Sequence, residues 1–294
     1  MTSAARFDFD VSSALNIGAR SRQEDALAVA FSEGADHGFA IVSDGMGGHA
    51  SGDLASRTIV AEMFANLTLG NLENDIDLPQ LLQDALRHTN ARLASRVKST
   101  PSHSGMGGTV IAAVAKDKKL YWISVGDSVL YLFRNETLSR LNEDHSMAPQ
   151  IDLMLARGLL TAAEAADHPQ RNCLTSALMG STIAEVDCPL HPLVLKPGDI
   201  VILASDGLQF LPDPIIEALL LRARRDGSRD IVQDLMDAVA MIDDPEQDNT
   251  AIIVLRAGQP RARVRQGAFR AKSSAVLRAV RRAVSSPVQM RSRS

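Results

Sequence analysis

Two stretches of this chain place Ser-Asp-Gly directly after a strongly apolar run. Residues 39–42 (FAIV) lead into Ser43-Asp44-Gly45, and residues 200–204 (IVILA) lead into Ser205-Asp206-Gly207. A third aspartate, Asp248, stands with Asn249 and Thr250 just ahead of the apolar run 251–255. Such runs read as buried strands, so each carboxylate is set at the mouth of a strand. Carboxylates gathered in one place repel one another and shift toward protonation unless a cation holds them. Oxygen donors without paired His or Cys suit magnesium or manganese better than zinc or copper. Two such ions about 4 Å apart share a water, lower its pKa and hold a phosphoryl group for in-line attack, with no protein nucleophile required.

Any one of these motifs alone reads as a turn, because Asp-Gly is a common turn dipeptide. The glycines at 47 and 48 suggest a loop that approaches a ligand closely, but no Lys-Ser/Thr follows to make a nucleotide phosphate loop. There is no Gly-x-Ser-x-Gly elbow and no cysteine–arginine phosphate cradle. Repetition of strand, aspartate and small residue at three places, with Glu24 and Asp127 besides, exceeds what structure alone needs. Glu24 and Asp25 open a further strand pattern at 26–31, where adjacent acids are ordinarily solvated.

The elements that must position these residues are legible in order. Strands are expected at 7–18, 26–31 and 38–43, then helices at 50–67 and 77–98. Strands follow at 109–115, 120–125 and 129–133, with Asp117-Lys118 and Asn135-Glu136 as turns. Residues 145–180 break the pattern: they are polar, helix-prone in short pieces and interrupted by Pro149, Gly158 and Pro169. Such insertions between strands are commonly functional. Helices at 213–225 and 228–242 precede Asp248. Strands at both ends with helix pairs between predict an α+β domain, with mainly antiparallel sheets packed face to face and helices outside.

The chain has 294 residues, of which 45% are hydrophobic and 22% charged, so a large core is available. No apolar run approaches the roughly 18 residues of a membrane span, and the first residues lack a secretory pattern. Two cysteines, Cys173 and Cys188, make neither a disulfide framework nor a zinc pattern; both are expected in the core of a cytoplasmic protein. The net charge of −4 hides an asymmetry: ten of the 31 basic residues fall in 261–294, which holds no acid, leaving 21 against 35 acidic residues before it. An acidic body speaks against a nucleic-acid surface and suits a cation site. In the tail, Phe269, Val276, Leu277, Val280 and Val284 share one helical face. The tail therefore reads either as disordered or as a basic amphipathic helix suited to an anionic membrane or an acidic protein.

Taken together, Arg20…Glu24-Asp25, Asp44-Gly45-Met46-Gly47-Gly48-His49, Gly105-Met106-Gly107-Gly108-Thr109, Gly126-Asp127-Ser128, Ser205-Asp206-Gly207 and Asp248-Asn249 resemble the metal-dependent protein phosphatase family (type 2C) in its bacterial form. The motifs occur in family order across roughly residues 10–256. The resemblance implies a four-layer αββα sandwich over residues 1–258, followed by the tail at 259–294. It implies hydrolysis of phosphoserine and phosphothreonine in proteins, opposing a Ser/Thr kinase, at a centre of two Mn2+ or Mg2+ ions. Asp44 would bridge both ions and the Gly45 carbonyl would bind one. Asp206 and Asp248 would complete the other, and Glu24 would act through water. Arg20 matches the arginine that clamps the substrate phosphate, a task suited to its planar fork; a surface salt bridge is its plainer reading. Asp127 matches a ligand of a weaker third ion, and 145–180 would be a flap beside the site.

Two positions depart from the family pattern. Many relatives carry an aspartate four residues after the one at Asp206, where this chain has Phe210, so a third ion should bind weakly. Met46 stands where eukaryotic members have a histidine proposed as general acid; His49 is the nearby alternative, with water as its competitor. A monomer is expected. Two other readings share the fold: a non-catalytic module that binds a phosphoprotein, and a phosphatase of a phosphorylated anti-sigma antagonist. Retention of Asp44, Asp206 and Asp248 speaks against the former.

Overall fold

The computed structural model describes residues 7–32, 36–47, 51–72 and 76–258. His49 and the whole basic tail, with the expectations placed on them, lie outside the described residues. In chain order the first strands are β1 (Phe9–Asn16), β2 (Asp25–Phe31) and β3 (His37–Met46), followed by helices α1 (Ser51–Leu69) and α2 (Leu78–Ser99). Next come β4 (Gly107–Gly108), β5 (Val110–Lys116), β6 (Lys119–Val125), β7 (Val129–Arg134) and β8 (Thr137–Arg140). Short helices α3 (Ala148–Ala156) and α4 (Ala162–Ala166) occupy the insertion. The chain then runs through β9 (Leu193–Val194), β10 (Ile200–Ala204), α5 (Asp213–Ala223), α6 (Ser228–Ala240) and β11 (Thr250–Ala257).

The strands form two antiparallel sheets, ordered β1-β11-β10-β7-β8 and β2-β3-β5-β6-β9, with β4 extending the second along the end of β3. Three apolar layers separate four structural layers. Between the sheets, Val42, Ile111 and Ala113 face Leu130, Leu203 and Ile253. Outside the second sheet, Ile59, Met63, Leu82 and Leu86 of α1 and α2 cover Ile41 and Ala112. Outside the first, Ile216 and Leu220 of α5 and Leu235 and Val239 of α6 cover Ile202 and Val254. Both faces of the central strands are therefore buried, which is why they read as unbroken apolar runs instead of alternating ones. The expected αββα sandwich is what the chain forms.

Local chemistry sets the helix starts. Asp77 caps α2 by accepting from the Gln80 amide, with Pro79 in the first turn. Thr161 and Glu164 form a reciprocal capping box on α4. Asp10 of β1 accepts from the Ser228 amide and hydroxyl, so α6 is tied to an edge strand by its own first residue.

Two local expectations are corrected, and a further strand comes in addition to those expected. The third strand does not end at Ser43; β3 continues through Asp44 and Gly45 to Met46, because Gly45 and Met46 pair with Gly108 and Gly107. β8 was not legible, being only four residues long with a mixed pattern (TLSR). The two thiols are not core fillers: Cys173 is exposed and Cys188 half-buried. Among the described residues, no helix is long and apolar enough to cross a membrane.

Candidate metal centre

The register brings the sequence-predicted acids to one end of the sandwich. Asp44 on β3 lies directly across from Asp25 on β2. In the other sheet, the end of β10 pairs with the beginning of β7, and Asp206 opens the 3-10 turn that follows β10. Asp248 precedes β11, whose first residue Thr250 pairs with Asn16.

Asp44 is held by a threonine hub. The Asp44 amide donates to Thr109 Oγ1 (3.0 Å), the Thr109 amide donates to the Asp44 carbonyl (2.8 Å), and Ser43 Oγ donates to the Thr109 carbonyl (2.7 Å). The Gly45 amide donates to the Glu24 carbonyl at 3.0 Å. A Cβ on Gly45 would stand 2.0 Å from the Gly52 carbonyl oxygen, so only glycine lets the first turn of α1 come this close. Gly207 repeats the device: a Cβ there would stand 2.0 Å from the Asn249 carbonyl oxygen.

The carboxylates share one field. Burial first, and then Asp206, Asp25, Asp127 and Asp248, hold the Asp44 proton well above the usual carboxylate range. Burial, with Asp206 and Asp248 adding to it, pushes Asp25 up to about 7 against the Ser205 hydroxyl, which donates to its Oδ2 at 2.7 Å. Asp127 is likewise pushed to about 7, by burial and then by Asp206 and Asp144. Glu24 is raised by burial and by Asp53 and Asp248, against Arg20 and Arg22. Negative charge in this region outweighs its compensation, and oxygen is the common donor among the charged groups, with Gly45 among the lining residues. That donor set fits hard divalent cations.

Two clefts divide the group. One, of about 590 Å³, is lined by Arg20, Glu24, Asp44, Gly45, Asp248 and Asn249 among others. The second, of about 250 Å³, holds Asp127, Asp144 and Asp206 with Arg140, and includes Asp152 and Arg171 of the 145–180 insertion. Among the described residues no three His, Cys, Asp or Glu side chains close around a single point as they stand. The acids converge electrostatically without forming a closed ligand shell. Arg20 Nη2 donates to Asp248 Oδ2 at 2.8 Å, so the plain salt bridge expected as its alternative is present. With the Arg20 side chain 55% exposed, the pair contributes little to stability.

Asp25 is the residue sequence reading undervalued. It is 5% exposed, not solvated, and it links both sheets through Ser205. Its placement follows from cross-strand pairing with Asp44, which only register reveals. Phe210, in the place of the missing aspartate, packs against the apolar layer under α5 and α6.

A four-layer sandwich that gathers carboxylates from both sheets at one end has the architecture of the metal-dependent protein phosphatases. Residues 15–252 match the family described as Protein phosphatase 2C, and the chain belongs to that family. It is 34% identical over 185 residues to the serine/threonine protein phosphatase PstP of Mycobacterium tuberculosis, covering 62% of this chain and 33% of that protein. The chain thus spans about a third of that relative's length. It is 33% identical over 192 residues to the serine/threonine phosphatase stp of Listeria innocua, covering 63% of this chain and 72% of that one. The crystal structure of the PstP catalytic domain in complex with two manganese ions superposes with a TM-score of 0.70 at 25% identity, over 86% of this chain and all of that one.

Proposed function

We propose that this protein removes phosphate from phosphoserine and phosphothreonine in other proteins, and that Asp44, the Gly45 carbonyl, Asp206 and Asp248 hold two Mn2+ or Mg2+ ions for that purpose. The observation that carries this reading is the shared field of Asp25 and Asp44 on one sheet, Asp127 in the loop that joins the sheets and Asp206 after β10 of the other, a concentration of negative charge that raises the first three carboxyls above their ordinary range. The two-manganese complex of the PstP catalytic domain supports the identity of the missing charge. When bound, the ions supply a water of lowered pKa and neutralise phosphoryl oxygens.

The chain's own groups do the rest. Asp44, its main chain clamped by Thr109, brings its carboxyl to the larger cleft. Glu24 reaches the site through water. Arg20 offers a guanidinium fork at the mouth of the larger cleft and meets a substrate phosphate by sharing or exchanging its bond to Asp248. Asp127 offers a weak third cation site, since Phe210 supplies no oxygen. The flap helix α3 is pinned by Arg171 to Asp152 at 2.7 Å and walls the smaller cleft, where it meets the substrate protein. Water protonates the leaving serine or threonine oxygen, with His49 the nearest protein candidate in sequence. The setting we assign is the cytoplasm, with the protein a monomer opposing a Ser/Thr kinase; the basic tail meets an anionic membrane or an acidic protein.

The test is phosphate release from a phosphothreonine peptide with Mn2+, with chelator, and with phosphotyrosine or an aryl phosphate in its place. Manganese-dependent turnover favouring phosphothreonine, cut roughly 100-fold or more by Asp206→Asn, is expected. Full activity in chelator would reject the reading.

A further inference from the structure

One buried amide side chain joins the two loops that frame the larger cleft. Asn249 is 4% exposed and uses all of its side-chain functionality on the backbone of residues 17–24. Its Oδ1 accepts from the Glu24 amide at 2.6 Å. Its Nδ2 donates to the carbonyls of Ile17 (2.8 Å) and Arg22 (2.9 Å). The partners fix the orientation of the amide: reversing it would set the NH2 against the Glu24 N–H and the oxygen against two carbonyls. From the main chain, the Asn249 amide donates to Asp248 Oδ1 at 2.7 Å, and the Ala19 amide donates to the Gln247 carbonyl at 2.9 Å.

The segment held in this way carries Arg20 and Glu24, both of which line the cleft. Arg20 itself projects from a loop with an exposed neighbour at Ser21, and its own side-chain bond is the exposed one to Asp248. The backbone beneath it is held by the Asn249 contacts and by the turn bonds at 17–20. We infer that Asn249 is a positioning residue: it sets the distance of Arg20 and Glu24 from Asp248, and acts on the substrate phosphate through Arg20. This inference rests on the phosphatase reading for its kinetic consequence, but not for its geometric one.

An amide is needed, not merely a polar group. Asp at 249 would keep the acceptor for the Glu24 amide but turn a carboxylate oxygen toward the carbonyls of Ile17 and Arg22. Ser would be too short to reach both ends.

The experiment pairs kinetics with hydrogen exchange in the Mn2+-loaded full chain. Asn249→Ala is expected to raise KM for a phosphothreonine peptide about tenfold with a smaller change in kcat, as loss of a phosphate anchor would. A merely structural role would lower the active fraction, reducing kcat at constant KM. The same substitution made in an Arg20→Ala background should leave KM nearly where Arg20→Ala alone puts it, because the effect passes through that arginine. Amide exchange at Ala19 and Glu24 should speed up on the order of tenfold or more while the β3 and β10 amides stay protected. Asn249→Asp should reproduce both effects, which covers the case in which the alanine variant does not fold. Unchanged KM in a folded variant, or equal effects with and without Arg20, would overturn the inference. A wild type without any turnover would sink the phosphatase reading alone. The exchange comparison would still decide whether Asn249 holds the loop, unchanged protection at Glu24 counting against it.

Discussion

The two Ser-Asp-Gly segments are a natural comparison, one on each sheet. In both, an apolar strand delivers an aspartate to the same end of the sandwich, and a glycine follows because a backbone carbonyl passes where its Cβ would be. They differ in how the serine is used. Ser43 stays within its own sheet, bonded to Thr109 on the neighbouring chain segment. Ser205 reaches across: it donates to Asp25 of the other sheet and accepts from the Ala251 amide at 2.9 Å. One segment is thus braced locally, and the other ties the two sheets together at the site. The chain also leaves the two segments differently. Gly45 continues to Met46, the last residue of its strand, whereas Asp206 starts a 3-10 turn. The lesson is that one tripeptide serves two mechanical tasks, set by what lies opposite the serine.

Breaking the common feature should have the largest effect. Gly45→Ala and Gly207→Ala each force a methyl onto a carbonyl oxygen 2.0 Å away. Each is expected to cost about 3 kcal/mol or more in urea unfolding. A loss under about 1 kcal/mol for either would mean that the close crossing relaxes easily. Breaking the difference should have a smaller, unequal effect. Ser205→Ala strips a buried carboxyl of its donor and should destabilise by about 1–3 kcal/mol, against about 1 kcal/mol for Ser43→Ala. Equal losses would erase the distinction between the two segments.

The remaining expected effect, shared by two carboxyls and not confined to one turn of chain, is a pH dependence. Asp25 and Asp127 are raised to about 7 in the folded protein from an ordinary value of 3.8. The folded state therefore binds their protons more tightly than the unfolded state. Their contribution is complete below about pH 4 and is lost as pH climbs through about 7. In chelator, the melting temperature should fall between pH 5 and pH 8, by roughly 10 °C or more. Added Mn2+ should raise it most at the alkaline end, where the carboxylates have lost their protons. A melting temperature that rises over this window in chelator would contradict the assigned field. Ser205→Ala should move the Asp25 part of the trend and leave the Asp127 part in place.

Much of this was legible in the chain. Asp44, Asp206 and Asp248 announce themselves because each ends or precedes a strand buried on both faces, and such strands are conspicuous. The sandwich follows from the same runs and from the apolar periodicity of α1, α2, α5 and α6. Asp25 was not legible as a buried acid, because its environment is made by register with Asp44 and by Ser205, 180 residues away. Asn249 was visible only as the second half of a motif; its partners lie 225 to 232 residues away. β8 carries too few residues for any period to show, and β3 runs on past Ser43 because β4, itself two glycines, offers it a partner. Local pattern reports burial well and partnership poorly.

Central to all of this is joint cation binding by carboxylates from both sheets, and calorimetric titration of Mn2+ into metal-free protein addresses it most directly. Two ions per chain are expected, with Asp44→Asn weakening both and Asp206→Asn weakening one far more than the other. Unaltered stoichiometry and affinity in both variants would contradict it.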